Sequence, residues 1–263
     1  PFIWKSMPES LSYLTKKNKE SELRRVLTQI APDLQIDSDA KFVNEANINS
    51  AKPSIGLLFS DGRAFSTLMF WVAFFTCLFM VYALSTWLTK LMAMSGYSLG
   101  SALTFVIALN VGAIFGAIGG GWLADRFHIK WVLVIMYSLG SVFLYLMTLP
   151  MSVNMLYFTI AIVGACTTGA QIVAYSYCGQ FYPSIIRSTG IGMASGVGRL
   201  GAIGAPLLIG LIVSLNLPIQ QNFMVIALAG LIGAVALSLI NHRRADMAHV
   251  QSETNINLKV EEA

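Results

Sequence analysis

The chain has 263 residues, of which 56% are hydrophobic and 11% charged, with a formal net charge of +4. Soluble domains carry about 25% charged residues; here the single acid between Gly62 and Ala245 is Asp125, and from Trp131 to His242 the charged residues are Arg187 and Arg199 alone. Such a stretch excludes a water-soluble globular domain and points to lipid, and the basic surplus is no nucleic-acid signature, because the Lys and Arg lie in loops and tails between apolar segments.

Pro1-Phe2-Ile3-Trp4 reads as the stub of an apolar segment, without an initiator Met or signal peptide, so a fragment of a longer protein is expected. Residues 5–63 are polar. Within them Leu23, Val26, Leu27 and Ile30 share one helical face, which predicts a short amphipathic helix over Ser21–Ile30, ended by Ala31-Pro32-Asp33. Asp33–Pro53 is expected to be irregular. This region reads as a solvated linker with a surface helix, the alternative being a helix docked on a membrane surface.

Six apolar segments follow, each long enough to cross a hydrocarbon core, which takes roughly 20 residues: Ala64–Thr89, Leu99–Ala124, Trp131–Leu149, Met155–Cys178, Ser188–Leu215 and Ile219–Ile240. Pro150, Pro183 and Pro218 punctuate the turns, and Pro206 inside the fifth segment is expected to bend it. The organisation is therefore 1–63 as a polar loop region, 64–240 as an all-α six-helix membrane bundle, and 241–263 as a tail. Placing the first 63 residues and the tail in the cytoplasm collects nearly all Lys and Arg there and leaves only Lys90 outside, the bias expected of a cytoplasmic face.

Few residues in the bundle carry chemistry. Arg199 lies 12 residues beyond Arg187, about 18 Å deeper at helical rise. A central Arg costs roughly 2.5–3.5 kcal/mol on insertion scales, so it must face a bundle interior or a wet cavity. An anion, including a substrate carboxylate gripped bidentately, is its natural partner; freed backbone carbonyls near Pro206 are the structural alternative. Thr168, Gln171 and Tyr175 share a face of the fourth segment, as do Tyr82, Thr86 and Thr89 of the first beside Trp87, and Asn110 is the one amide of the second. These groups suit either a polar ligand with an aromatic ring or interhelical hydrogen bonds. Gly112, Gly116 and Gly120, and Gly192 and Gly196 with Gly198, Gly201 and Gly204, predict close helix packing, or smooth faces for rocking helices.

Cys77, Cys166 and Cys178 lie in apolar segments without metal-ligand spacing, and no metal or cofactor is expected. No nucleophile or acid–base cluster suggests an enzyme, and no charged or carbonyl-rich filter suggests a channel. The segment Gly121-Trp122-Leu123-Ala124-Asp125-Arg126-Phe127-His128-Ile129-Lys130 reads as the loop between the second and third spans, with Asp125 paired to Arg126 or to a neighbouring helix.

That loop resembles the Gly-x-Leu-Ala-Asp-Arg-x-Gly-Arg-Lys signature of the major facilitator superfamily, with His128 and Ile129 departing where Gly and Arg are usual. Pro8-Glu9-Ser10 resembles the Pro-Glu-Ser after the sixth helix of many members. A more specific set is Trp71-Val72-Ala73-Phe74-Phe75, Tyr82-Ala83-Leu84-Ser85-Thr86-Trp87-Leu88, Gly96-Tyr97-Ser98, Phe181-Tyr182-Pro183, Arg187-Ser188-Thr189-Gly190 and Gly196-Val197-Gly198-Arg199-Leu200-Gly201-Ala202. Together these resemble the aromatic acid:proton symporters, most of all bacterial benzoate transporters, over almost the whole chain; Thr89 stands where many members have Pro.

The resemblance implies the C-terminal half of a twelve-helix fold: the end of helix six, the cytoplasmic loop between the halves, and helices seven to twelve. It implies a bacterial inner-membrane protein that takes up an aromatic carboxylate with a proton, by alternating access, with an N-terminal half as partner. Arg199, Tyr82, Trp87, Asn110, Gln171 and Tyr175 are then the candidate substrate-binding residues. Asp125, Arg126 and Arg187 are candidates for conformational gating. No intramembrane Asp, Glu or His occurs in these spans, so a proton-carrying carboxylate is expected outside this chain, unless His128 takes part from the loop. Hydroxybenzoate, vanillate, muconate or a sugar are the rival cargoes, though a sugar porter should favour acidic or amide-rich cavities.

Overall fold

The computed structural model describes Leu14, Lys17, residues 19–30 and residues 55–242. The readings made for Pro1-Phe2-Ile3-Trp4, Pro8-Glu9-Ser10, Asp33–Pro53 and the tail beyond His242 lie outside the described residues. The chain divides into two compact units, Pro1–Lys52 and Pro53–Ala263. In the first, α1 spans Glu20–Ile30. Leu23 and Val26 bury one face of it together with Leu14, with Leu27 against them, as the apolar spacing predicts.

The second unit is a bundle in which six helical spans are long and apolar enough to cross a membrane. They comprise α2 (Ala64–Met94), α3 (Leu99–Arg126), α4 (Ile129–Leu146), α5 (Val153–Gly164) continued through a π-helical turn Ala165–Gly169 into α6 (Ala170–Phe181), α7 (Ser184–Ser214) and α8 (Ile219–Leu239). Helix is the form these segments take because lipid offers no partner for backbone N–H and C=O groups. The ends are set locally. Ser98 and Ser152 accept hydrogen bonds from the Ser101 and Met155 amides at the starts of α3 and α5. Pro183 and Pro218 stand immediately before α7 and α8. Gly96 takes φ +93° in the turn after α2, a conformation that L side chains rarely adopt.

Several bounds differ from the sequence reading. α2 runs on to Met94, so Lys90 sits in its last turns. α3 continues through Arg126, and α7 begins at Ser184. Asp125, Arg126 and Arg187 are therefore helical residues rather than loop residues; charged residues tolerate a helix end at a membrane boundary, where apolarity alone stops marking the helix. Pro206 lies within α7, which stays one unbroken helix through it.

α2 is central: it packs along α7 and α8 and also touches α3, while α4 lies on α8 and α3 lies on α5. The predicted glycine face of α3 is a backbone contact. A Cβ on Gly112 would meet the backbone of Ala161, one on Gly116 that of Ala165, and Gly164 and Gly169 face Leu109 and Gly116 in return. The α7 glycines divide. Gly198 and Gly201 lie against the Phe74 and Phe75 carbonyls of α2, whereas Gly192, Gly196 and Gly204 have no neighbouring atom within 4 Å of a built Cβ. Only part of that stripe is packing surface within the described residues. The outward faces of α3 and α7 are apolar, with Ile107, Ile114, Phe115, Ile203, Leu207 and Leu211 exposed, which suits a lipid or protein covering rather than water.

Candidate functional site

The seam where α7 crosses α2 holds the deep cation. Arg199 is exposed on α7 and donates from Nη1 to the Tyr82 hydroxyl of α2 at 3.0 Å. Among the described residues no carboxylate pairs with it. A guanidinium carries five N–H donors in a rigid fork, so most of its donors remain for an anion. The close approach of α7 to α2 through Gly198 and Gly201 brings Arg199 into reach of Tyr82.

A second polar contact lies on the same helix. Tyr175 Oη of α6 and Ser195 Oγ of α7 are 3.1 Å apart. The Tyr175 ring meets Phe74 of α2 edge-on, centroids 5.0 Å apart at 85°. Ser195 stands one turn from Arg199, so these two pairs belong to one stripe shared by α2, α6 and α7. Ser195 and Phe74 were missed from sequence. The available signal was Ser195 at i−4 from Arg199, in a stretch otherwise made of glycine and apolar residues.

The other candidates are placed differently. Gln171 is half-buried one turn before Tyr175 on α6. Trp87 packs against Gly210, with Lys90 Nζ 4.7 Å from its ring centroid. Gly210 is 11 residues past Arg199, about 16 Å along α7, so Trp87 is not brought to the Arg199–Tyr82 pair. Asn110 is exposed on α3 and donates to the Val106 carbonyl of its own helix at 2.8 Å. Thr86 likewise bonds within α2, to the Tyr82 carbonyl at 2.6 Å.

At the far end of the spans, Arg126 stacks over Trp122 with its guanidinium carbon 4.9 Å from the ring centroid. Asp125 makes no ion pair among the described residues, which corrects the expected pairing with Arg126 or a neighbouring helix. Adjacent helical residues point about 100° apart and do not face one another. Arg187 Nε donates to the Tyr182 carbonyl at 3.4 Å. Tyr182 is buried, donates to Thr67 Oγ1 at 3.0 Å, and its ring fills the space that a Gly190 side chain would need. Burial pushes its phenol up to about 12, against smaller lowering by the Thr67 bond, so it stays a donor. Nearby Lys130 donates to the Ile240 carbonyl at 2.8 Å and the Asn241 amide to Ser66 Oγ at 3.2 Å, joining the α3–α4 turn and the end of α8 to the start of α2. The His128 ring lies 6.4 Å from that of His242.

A bundle of six such spans matches in size one half of a membrane fold built from two six-helix halves. Residues 111–259 match the Major Facilitator Superfamily, and the chain belongs to that family. It is 43% identical over 243 residues to a benzoate transport protein of Acinetobacter baylyi, covering 92% of this chain and 52% of that protein. It is 39% identical over 184 residues to a gentisate transporter of Corynebacterium glutamicum, covering 70% of this chain and 41% of that protein. Identity to a 4-hydroxybenzoate transporter of Pseudomonas putida is 30% over 253 residues, covering 92% of this chain and 55% of that protein. The chain thus spans about half the length of the curated relatives it matches.

Proposed function

We propose that this chain is the C-terminal half of a secondary transporter that takes up an aromatic carboxylate, benzoate first, with a proton. The observation that carries the reading is Arg199: a cation deep in a membrane span, hydrogen-bonded to Tyr82, with no carboxylate partner among the described residues. A substrate carboxylate fits such a fork in bidentate fashion. The names of the relatives, which include benzoate, gentisate and 4-hydroxybenzoate carriers, favour the same cargo.

Transport proceeds by alternating access, with the site between the two halves near the bilayer midplane. Gln171 and Tyr175 contribute polar and aromatic contacts there; Asn110 and Trp87 line more distant parts of the path. Asp125, Arg126 and Arg187 stabilise one conformational state at the cytoplasmic end. Residues 1–63 carry the end of helix six and the loop from the first half, and 241–263 form a cytoplasmic tail in a bacterial inner-membrane protein. Arg is always protonated at physiological pH, so the coupled proton rides on another group: a carboxylate of the other half, unless His128 takes part from the α3–α4 turn.

The test is uptake of radiolabelled benzoate by cells carrying the full-length gene, with and without a protonophore, beside Arg199→Ala. Protonophore-sensitive uptake that disappears in the correctly inserted variant supports the reading. Absence of benzoate uptake with good uptake of a neutral sugar refutes it.

A further inference from the structure

The stripe beside Arg199 has a chemistry that a simple carboxylate grip does not use. Ser195 is four residues before Arg199, about 6 Å along α7, and helical side chains lean toward the N-terminus, so Arg199 leans in its direction. Between them Gly196 offers bare backbone, with no described atom within 4 Å of a built Cβ, and flat apolar surface can lie there. At the end of this strip stand two hydroxyls in contact, Tyr175 Oη and Ser195 Oγ, 3.1 Å apart, with Tyr175 held edge-on by Phe74.

A hydroxyl has one donor and two acceptor sites. When two hydroxyls bond each other, one proton is used and the other stays free, together with spare lone pairs. A phenolic hydroxyl can join by accepting the free proton and donating to a lone pair. An unsubstituted ring leaves the two hydroxyls bonded to each other with one proton unfilled, a smaller cost than orphaning both groups. A site that orphans all its polar groups rejects the smaller analogue strongly; this one, in which each hydroxyl keeps a partner, rejects it less.

We propose that Tyr175 and Ser195 are the ring-hydroxyl sensor of this transporter: an aromatic acid held by its carboxylate at Arg199 presents a meta or para hydroxyl to the pair, and benzoate is admitted with the pair self-bonded. This rests on the aromatic-carboxylate reading above and deepens it. The pair sets the ratio between hydroxylated and plain aromatic acids, while Arg199 sets affinity for both.

The experiment is competition by 3- and 4-hydroxybenzoate against radiolabelled benzoate uptake, in cells carrying the full-length protein as wild type, Tyr175→Phe, Ser195→Ala, the double variant, and Ser195→Thr. In the double variant the ratio of the inhibition constant of at least one hydroxybenzoate to the benzoate KM rises about tenfold, the change equivalent to 1.4 kcal/mol. Ser195→Thr keeps the hydroxyl and restores the wild-type ratio. Both constants come from the same cells, so a variant that inserts poorly lowers the rate without moving the ratio, and Tyr175→Phe keeps the ring against Phe74. Wild-type benzoate uptake with a ratio unchanged in the double variant overturns this inference alone. Wild-type failure to take up any of these acids overturns the aromatic-carboxylate reading and this inference with it.

Discussion

Arg199 and Tyr82 form a donor–acceptor pair, and in the proposed function the rest of the guanidinium fork takes the substrate carboxylate. Lysine would keep the charge and lose the planar fork. Arg199→Lys is therefore expected to raise the benzoate KM at least tenfold, and Arg199→Ala to abolish uptake, measured at matched membrane levels. Tyr82→Phe removes one bond worth about 0.5–1.5 kcal/mol, so a roughly 2- to 13-fold rise in KM is expected with the maximal rate less affected. Tyr182 sits elsewhere and acts on stability. Its phenol is pushed up to about 12 by burial, above the unfolded value near 10. The stabilisation from keeping it protonated is fully present below about pH 10 and is lost as pH rises through about 12. Thermal melts of the purified protein in detergent should show wild type above Tyr182→Phe at pH 9, where the Thr67 bond is intact, with the gap closing by pH 11 to 12. A pH-independent gap would count against this account.

At the scale of elements, the α3–α5 contact depends on having no side chain. Gly116 faces the Ala165 backbone, and Gly169 faces Gly116 in return. Gly116→Leu is expected to destabilise the bundle by about 1–3 kcal/mol or more through overpacking. Gly119→Ala on the same helix, where a built Cβ meets nothing within 4 Å, should be nearly neutral. Detergent thermal stability and membrane yield compare the two. The π-helical turn Ala165–Gly169 sits in this same contact, with the Thr167 hydroxyl donating to the Val163 carbonyl at 2.7 Å. The turn widens the helix where Ala165 meets Gly116, and such bulges are frequent at functional sites.

For the molecule as a whole, the start of α2, the α3–α4 turn and the end of α8 are hydrogen-bonded at one end of the bundle. Arg63, Arg126, Lys130 and Arg187 belong to this end in the chain order, and Lys90 to the other. By the positive-inside rule this end is expected to be the cytoplasmic one. Cys77, Cys166 and Cys178 are free and buried, so thiol labelling reports on introduced cysteines. Ser95→Cys is expected to react with a membrane-impermeant maleimide on intact cells, and Phe127→Cys only after permeabilisation. The opposite pattern would invert the topology.

Six spans, their order and the family were legible in the chain itself, because lipid demands long apolar helices and the basic residues mark the turns. So was Arg199, since an isolated charge deep in an apolar segment stands out in any window. The helix ends were less legible: apolarity stops before the helix does, so Asp125, Arg126 and Arg187 read as loop residues. Partnership was not legible at all. That Arg199 meets Tyr82, that Tyr175 meets Ser195, and that Trp87 lies turns away at Gly210 depend on how α2, α6 and α7 cross. Crossing geometry follows from which glycines touch a neighbouring backbone, and one sequence pattern hides two roles: Gly201 packs on Phe75, while Gly196 on the same helix faces open space. Composition and periodicity determined the membrane class and the depth of the charge; only tertiary packing decided what surrounds it, because side chains far apart in sequence meet only once the helices have docked.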